Sequence, residues 1–107
     1  MRYFNLHTHK NEHSESVISL VNQYPLDYQR EIPIFSMGIH PWKIDQNGVW
    51  DEFQIMKKEV NNPSCWAVGE CGLDKRIECP MELQIEVFKA QILLAETHQK
   101  PVIIHCV

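Results

Sequence analysis

The sequence predicts an α/β fold of parallel strands, and three observations carry that prediction. Short apolar runs alternate with longer amphipathic segments along the 107 residues, the order expected of strands joined by helical crossovers. The apolar runs are partly continuous, as in strands buried on both faces. Each run also closes on a His or a Glu, which gathers polar chemistry at the carboxyl end of the sheet, where ligands bind in parallel α/β folds.

Arg2 to Leu6 reads as the first strand, ending in His7-Thr8-His9. Lys10 to His13 is polar loop. Ser14 suits the N-cap of a helix through about Tyr24, with Val17, Leu20 and Val21 on one face, and Pro25 ends it. Ile32 to Ile39 is the second strand, closing at Gly38-Ile39-His40-Pro41-Trp42. Asn47-Gly48 marks a turn. Val49 to Val60 follows as a helix, with Val49, Phe53, Met56 and Val60 at helical spacing, and Asn62-Pro63 breaks it. Cys65 to Val68 is the third strand and opens into Gly69-Glu70-Cys71-Gly72-Leu73-Asp74. Pro80 suits the first turn of another helix, whose apolar stripe reads Met81, Ile85, Phe88, Ile92 and Ala95. Lys100 and Pro101 end it. Val102 to Ile104 then begins a fourth strand closing on His105, and no repeat or linker divides residues 1–107 into more than one domain.

Composition narrows the function. The chain is 44% hydrophobic and 22% charged, with net charge -4, values of an ordinary globular domain that argue against disorder. The acidic balance argues against a broad phosphate-binding surface, though not against a phosphate held by bound metal. No apolar run approaches the roughly 18 residues that span a bilayer, and the start lacks the apolar core of a secretory signal. Cysteines stand at 65, 71, 79 and 106, none at C-x-x-C spacing, so a reduced, cytoplasmic protein with free thiols is the expectation.

The candidate site residues are His7, His9, His40, Glu70 and His105, at the ends of four strands. On an extended segment, residues two apart face the same way, so both imidazoles of His7-Thr8-His9 can converge on one ion. Neutral imidazole is a common ligand for zinc and other first-row divalent cations. Glu70 follows the apolar Ala67-Val68-Gly69, where a carboxylate is costly unless paired or bound to metal; pairing with Lys75 or Arg76 is the alternative. His105 interrupts Val102-Ile103-Ile104, and a hydrogen-bonded core histidine is its alternative. His40 suits a ligand, a phosphate contact or a turn anchor, and substrate contact is preferred. Lys75 and Arg76 are placed to meet an anionic group above the sheet. His13 and His98 read as surface residues, and Cys71 and Cys106 as small buried thiols.

Asn5-Leu6-His7-Thr8-His9, Gly38-Ile39-His40-Pro41, Gly69-Glu70-Cys71-Gly72-Leu73-Asp74 and Pro101-Val102-Ile103-Ile104-His105-Cys106 occur in the order and spacing of the TatD family, which the chain resembles along its whole length. Members are metal-dependent hydrolases, several of them deoxyribonucleases, built as TIM-barrel-like (β/α) folds with a metal centre at the carboxyl mouth. The resemblance implies that His7 and His9 bind a first divalent metal, that Glu70 bridges two metals as the catalytic carboxylate, and that His105 binds the second. It places His40 near the substrate phosphate. Zn, Mg and Mn are not distinguished. Lys75-Arg76 stands where many relatives carry aromatic residues, which leaves the substrate open.

The family's further His and its late-strand Asp, which would help activate water, have no position in residues 1–107. Four strands supply about half of a barrel that needs roughly 250 residues. The expectation is a truncated N-terminal part of one barrel domain, with little turnover alone and self-association through open sheet edges. Phosphodiester hydrolysis of a DNA-like substrate through bound metal is the implied reaction. Two alternatives stand beside it. One is another H-x-H hydrolase, an amidohydrolase or a phosphoesterase; Glu70 on the third strand and His105 on the fourth argue against amidohydrolases that bridge metals through a fourth-strand Lys. The other is a non-catalytic metal-binding fragment.

Overall fold

The computed structural model describes the backbone of residues 5–8 and 19–105, and side chains from residue 20 to 105. Five strands form one sheet: β1 (Asn5–Thr8), β2 (Ser19–Gln23), β3 (Phe35–Met37), β4 (Cys65–Gly72) and β5 (Val102–His105). They lie side by side in chain order, each parallel to the next. Doubly wound sheets place the first strand centrally; a sheet that grows by one strand at a time in one direction is the arrangement that curls into a barrel. The parallel α/β fold read from the sequence is therefore present, as part of a TIM-barrel-like sheet.

One element departs from expectation. The second half of the expected helix from Ser14 to Tyr24 is β2; residues 9–18 lie outside the described part. Val17, Leu20 and Val21 fit a helical face, but so short an apolar run fits a strand as well. Pairing with β3 decides the matter, with Val21 opposite Phe35 and Gln23 opposite Met37. Leu20 and Val21 then point to opposite faces of the sheet, and both are buried. A consequence follows for the count: Glu70 stands on the fourth strand and His105 on the fifth. The argument from strand position against amidohydrolases therefore fails, although the residue at that place is Glu and not Lys.

Among the described residues two α-helices, α1 (Val49–Glu59) and α2 (Met81–Thr97), cover one face of the sheet. Between them and the strands lies the larger core, which joins Val21, Phe35, Met37 and Val68 to Val49 and Met56 of α1 and to Val87, Leu94 and Ala95 of α2. A thinner cluster of Leu20, Ala67 and Ile103 lies on the other face. In α1 the expected spacing holds for Val49, Met56 and Val60, with Phe53 packed at the margin. In α2 the buried line is not the expected stripe. It runs through Gln84, Val87, Gln91 and Leu94; of the expected stripe Ala95 is buried, while Met81, Ile85, Phe88 and Ile92 are half-buried.

Two devices bring the strands together at the ends that matter. At the carboxyl end, Gly38, Gly69 and Ile103 of successive strands approach so closely that a Cβ on Gly38 would lie 2.5 Å from the Gly69 Cα, and one on Gly69 would lie 2.4 Å from the Ile103 carbonyl oxygen. Gly69 also has φ +140°, which side-chain-bearing residues rarely adopt. At the opposite end, the Lys100 ammonium donates to the carbonyls of Val60, Asn62 (3.0 Å) and Cys65 (2.6 Å). Its three donors thus tie the end of α1 and the start of β4 to the loop after α2.

Candidate metal centre

His40, Glu70 and His105 arrive at one place from three neighbouring strands. Each strand delivers its residue differently. His40 follows β3 and caps a short 3-10 turn, Pro41–Lys43; its Nδ1 accepts the Trp42 backbone N–H at 3.1 Å. Glu70 is the extra residue where the β4–β5 register slips between Gly69 and Cys71. A bulge of this kind re-aims a side chain next to a functional site. His105 is the last residue of β5.

The resulting distances are short. The His40 Nε2 lies 3.9 Å from one Glu70 oxygen, and the His105 Nδ1 lies 3.6 Å from the other. The two imidazole rings are 4.3 Å apart between centroids. One ligand atom from each of the three residues falls within 4.8 Å of the others, the only such group of His, Cys, Asp and Glu among the described residues. All three line a cleft of about 860 Å³, with Gln23, Tyr24, Trp42 and Lys43 further along its wall.

Hydrogen bonding differentiates the histidines. Burial holds the His40 pKa below its ordinary value, and the neighbouring His105 adds to that, against an opposing pull from Glu70 and Asp74. With Nδ1 occupied as an acceptor, a neutral His40 carries its proton on Nε2 and presents a donor to the cleft. His105 is different. Its Nε2 is buried and has no hydrogen-bond partner among the described residues, with an Asp74 carboxylate oxygen at 3.9 Å. The nitrogen that His105 turns to Glu70 is the other one, Nδ1, and an imidazole nitrogen facing a carboxylate oxygen at 3.6 Å is a donor set of the kind that takes a divalent cation, so Glu70 and His105 fit a metal.

Asp74 was given no role by the sequence reading, yet it organises the edge of the site. It is only 2% exposed. Its carboxylate accepts from the Arg76 backbone N–H (2.9 Å) and guanidinium (3.1 and 3.2 Å), and from the Trp42 indole N–H at 2.8 Å. Arg76, then Trp42, hold its pKa well below the usual carboxylate range. The signal available beforehand was an acid at the end of an apolar strand with a cation two residues on.

Buried glutamines fix the loops that carry these groups. Gln91 of α2 accepts from the Ile39 N–H (2.8 Å) and donates to its carbonyl (3.2 Å), one residue before His40. Gln84 does the same for Asp74, at 2.8 and 3.1 Å. Gln23 clips the backbone of Gln29 at 2.7 and 3.2 Å. Each amide imitates a strand partner for a loop backbone that would otherwise lack one.

Of the remaining expected residues, His7 lies on β1, whose backbone is part of the same sheet; its side chain and all of His9 are outside the described residues. Arg76 turns its guanidinium onto Asp74. Lys75 is exposed, and neither it nor Arg76 lines the cleft. His98 caps the end of α2. Cys65, Cys71 and Cys79 are free thiols, and Cys71 is fully buried, as anticipated; Cys106 and His13 lie outside the described residues.

Comparison with known proteins bears on what such a site does. The family model described as TatD related DNase matches residues 2–107. The chain is similar to the 3'-5' ssDNA/RNA exonuclease TatD of Salmonella typhimurium (33% identical, 87% of this chain and 34% of the relative). It is similar to the protein of that name from Dickeya dadantii (34% identical, 89% and 34%). An uncharacterized metal-dependent hydrolase of Buchnera aphidicola is 38% identical over 67% of this chain and 27% of its own length. The chain thus spans about a third of the length of the curated relatives it matches.

Proposed function

Because this chain belongs to the family of TatD-related DNases, we propose that it forms the metal-binding part of a hydrolase that cleaves phosphodiester bonds in nucleic acid. The observation that carries the proposal is the convergence of His40, Glu70 and His105 at the ends of three neighbouring strands. His7 and His9 with Glu70 would hold one divalent cation, and Glu70 with His105 a second. When bound, the cations supply neutralisation of phosphate charge and acidification of a water molecule.

The residues of the chain then divide the remaining work. Glu70 sets its two carboxyl oxygens between the His40 and His105 imidazoles. His40, neutral and with its Nε2–H facing the cleft, donates to a phosphate oxygen. The backbone of Ile39, anchored on Gln91 one residue earlier, keeps that donor in place. Lys75, exposed outside the cleft lining, supplies positive charge to the strand as it leaves the site, while the charge of Arg76 is taken up by Asp74.

The test is hydrolysis of a single-stranded oligonucleotide by the chain with added Mn2+, Mg2+ or Zn2+, set against a phosphomonoester and a cyclic amide. Metal-dependent cleavage of the oligonucleotide alone, abolished in Glu70→Gln, supports the proposal. Cleavage of the cyclic amide instead would assign the chain to amidohydrolase chemistry. Metal binding without cleavage of any substrate would leave a binding fragment.

A further inference from the structure

We propose that Trp42 is a stacking platform for a nucleobase of the strand whose phosphate occupies the metal centre. The inference rests on the nuclease reading above and adds a subsite to it. Trp42 is 63% exposed, a large apolar surface left in water at the mouth of the cleft. It is not a loosely held surface side chain. Its indole N–H donates to Asp74 at 2.8 Å, and Asp74 is itself buried and held by Arg76 and Gln84. The ring is therefore oriented from the interior of the protein while its surface stays open.

Its position relative to the site is equally defined. The indole lies 5.0 Å from the His40 ring and 5.7 Å from the His105 ring, edge-on to both. By contrast, the exposed Trp50 sets its ring against Phe53 of its own helix, away from the cleft lining. The next residue, Lys43, lies over the Tyr24 ring at 5.3 Å on the same cleft wall. Cation-binding cluster, held indole and ammonium follow one another along one groove. Grooves that take single-stranded nucleic acid combine positive charge with aromatic rings on which bases stack, and such stacking tolerates any base. The ligand chemistry that fits is a flat, unpaired base one nucleotide from the bound phosphate.

The experiment measures binding of two labelled probes to the chain with Mn2+: a short oligothymidylate, and an abasic deoxyribose-phosphate oligomer of the same length and charge. The wild-type chain is expected to prefer the base-bearing probe. Trp42→Ala should weaken that probe about tenfold while changing the abasic one by less than about twofold. Trp42→Phe, which keeps a ring but not the bond to Asp74, should retain most of the preference. The backbone N–H that anchors His40 survives both substitutions, and a Mn2+ titration of each variant verifies that the centre is intact. Equal weakening of both probes, or no effect on either, would make Trp42 a scaffold residue and overturn the subsite. Equal binding of both probes by the wild-type chain would overturn it while leaving the nuclease reading in place. Failure to bind either would contradict the nuclease reading and the subsite with it.

Discussion

The division of labour among individual side chains is set by what each is bonded to. His40 and His105 are the same residue type 4.3 Å apart, yet one has an occupied Nδ1 and the other an empty Nε2. Asp74 is the third member, and its low pKa gives a pH dependence with a definite sign. Its carboxyl titrates lower in the folded chain than the ordinary 3.8, so its contribution to stability is complete above that value and is lost as pH falls through it toward the folded pKa. The urea midpoint of the wild-type chain should therefore exceed that of Asp74→Asn at pH 7, with the gap closing below about pH 4. A gap that persists unchanged at pH 3 would contradict this role. Thiol reactivity is a second check at this scale. Burial, with Glu70 alongside, pushes the Cys71 thiol up to about 12, so among the described cysteines a thiol reagent should label Cys79 in the native chain and reach Cys65 and Cys71 only on unfolding.

At the scale of elements, the sequence was informative where a pattern had one reading. The helix from Val49 was legible because Val49, Met56 and Val60 repeat over a length no strand reaches. The gathering of His40, Glu70 and His105 at the strand ends was legible because Glu70 and His105 interrupt apolar runs. β2 was not, since Leu20-Val21 fits both periods and only its pairing with β3 settles it. Nor was the working face of α2, because a glutamine on a helix reads as solvated. Gln84 and Gln91 are two turns apart on one face, and each satisfies both backbone groups of a loop residue beside the site. Gln91→Leu should destabilise the chain by about 1–3 kcal/mol, the cost of stranding the Ile39 N–H and carbonyl. It should also speed hydrogen exchange at the Ile39 amide well beyond that change in global stability. Gly69→Ala should be at least as damaging, because its Cβ meets the Ile103 carbonyl oxygen where Glu70 is aimed.

For the whole molecule, the sheet grows in chain order and collects its site residues at one end while Lys100 gathers three carbonyls at the other. Lys100→Met should cost about 2 kcal/mol in a urea titration and leave metal affinity unchanged, because it acts at the far end of the strands. β1 and β5 are the edges of the described sheet, and Ile104 on β5 is 55% exposed. Open edges of this kind pair with other chains, so the isolated chain should elute as an oligomer in size-exclusion chromatography with light scattering, and a strictly monomeric mass would contradict that.

The most direct measurement is a calorimetric titration of the purified chain with Mn2+, repeated with Glu70→Gln, His105→Ala and His7→Ala variants that retain the wild-type circular dichroism. The account predicts saturable binding by the wild-type chain and affinity lowered at least tenfold in each variant. Wild-type affinity in the Glu70 and His105 variants would mean that the cluster at the strand ends is not a metal centre.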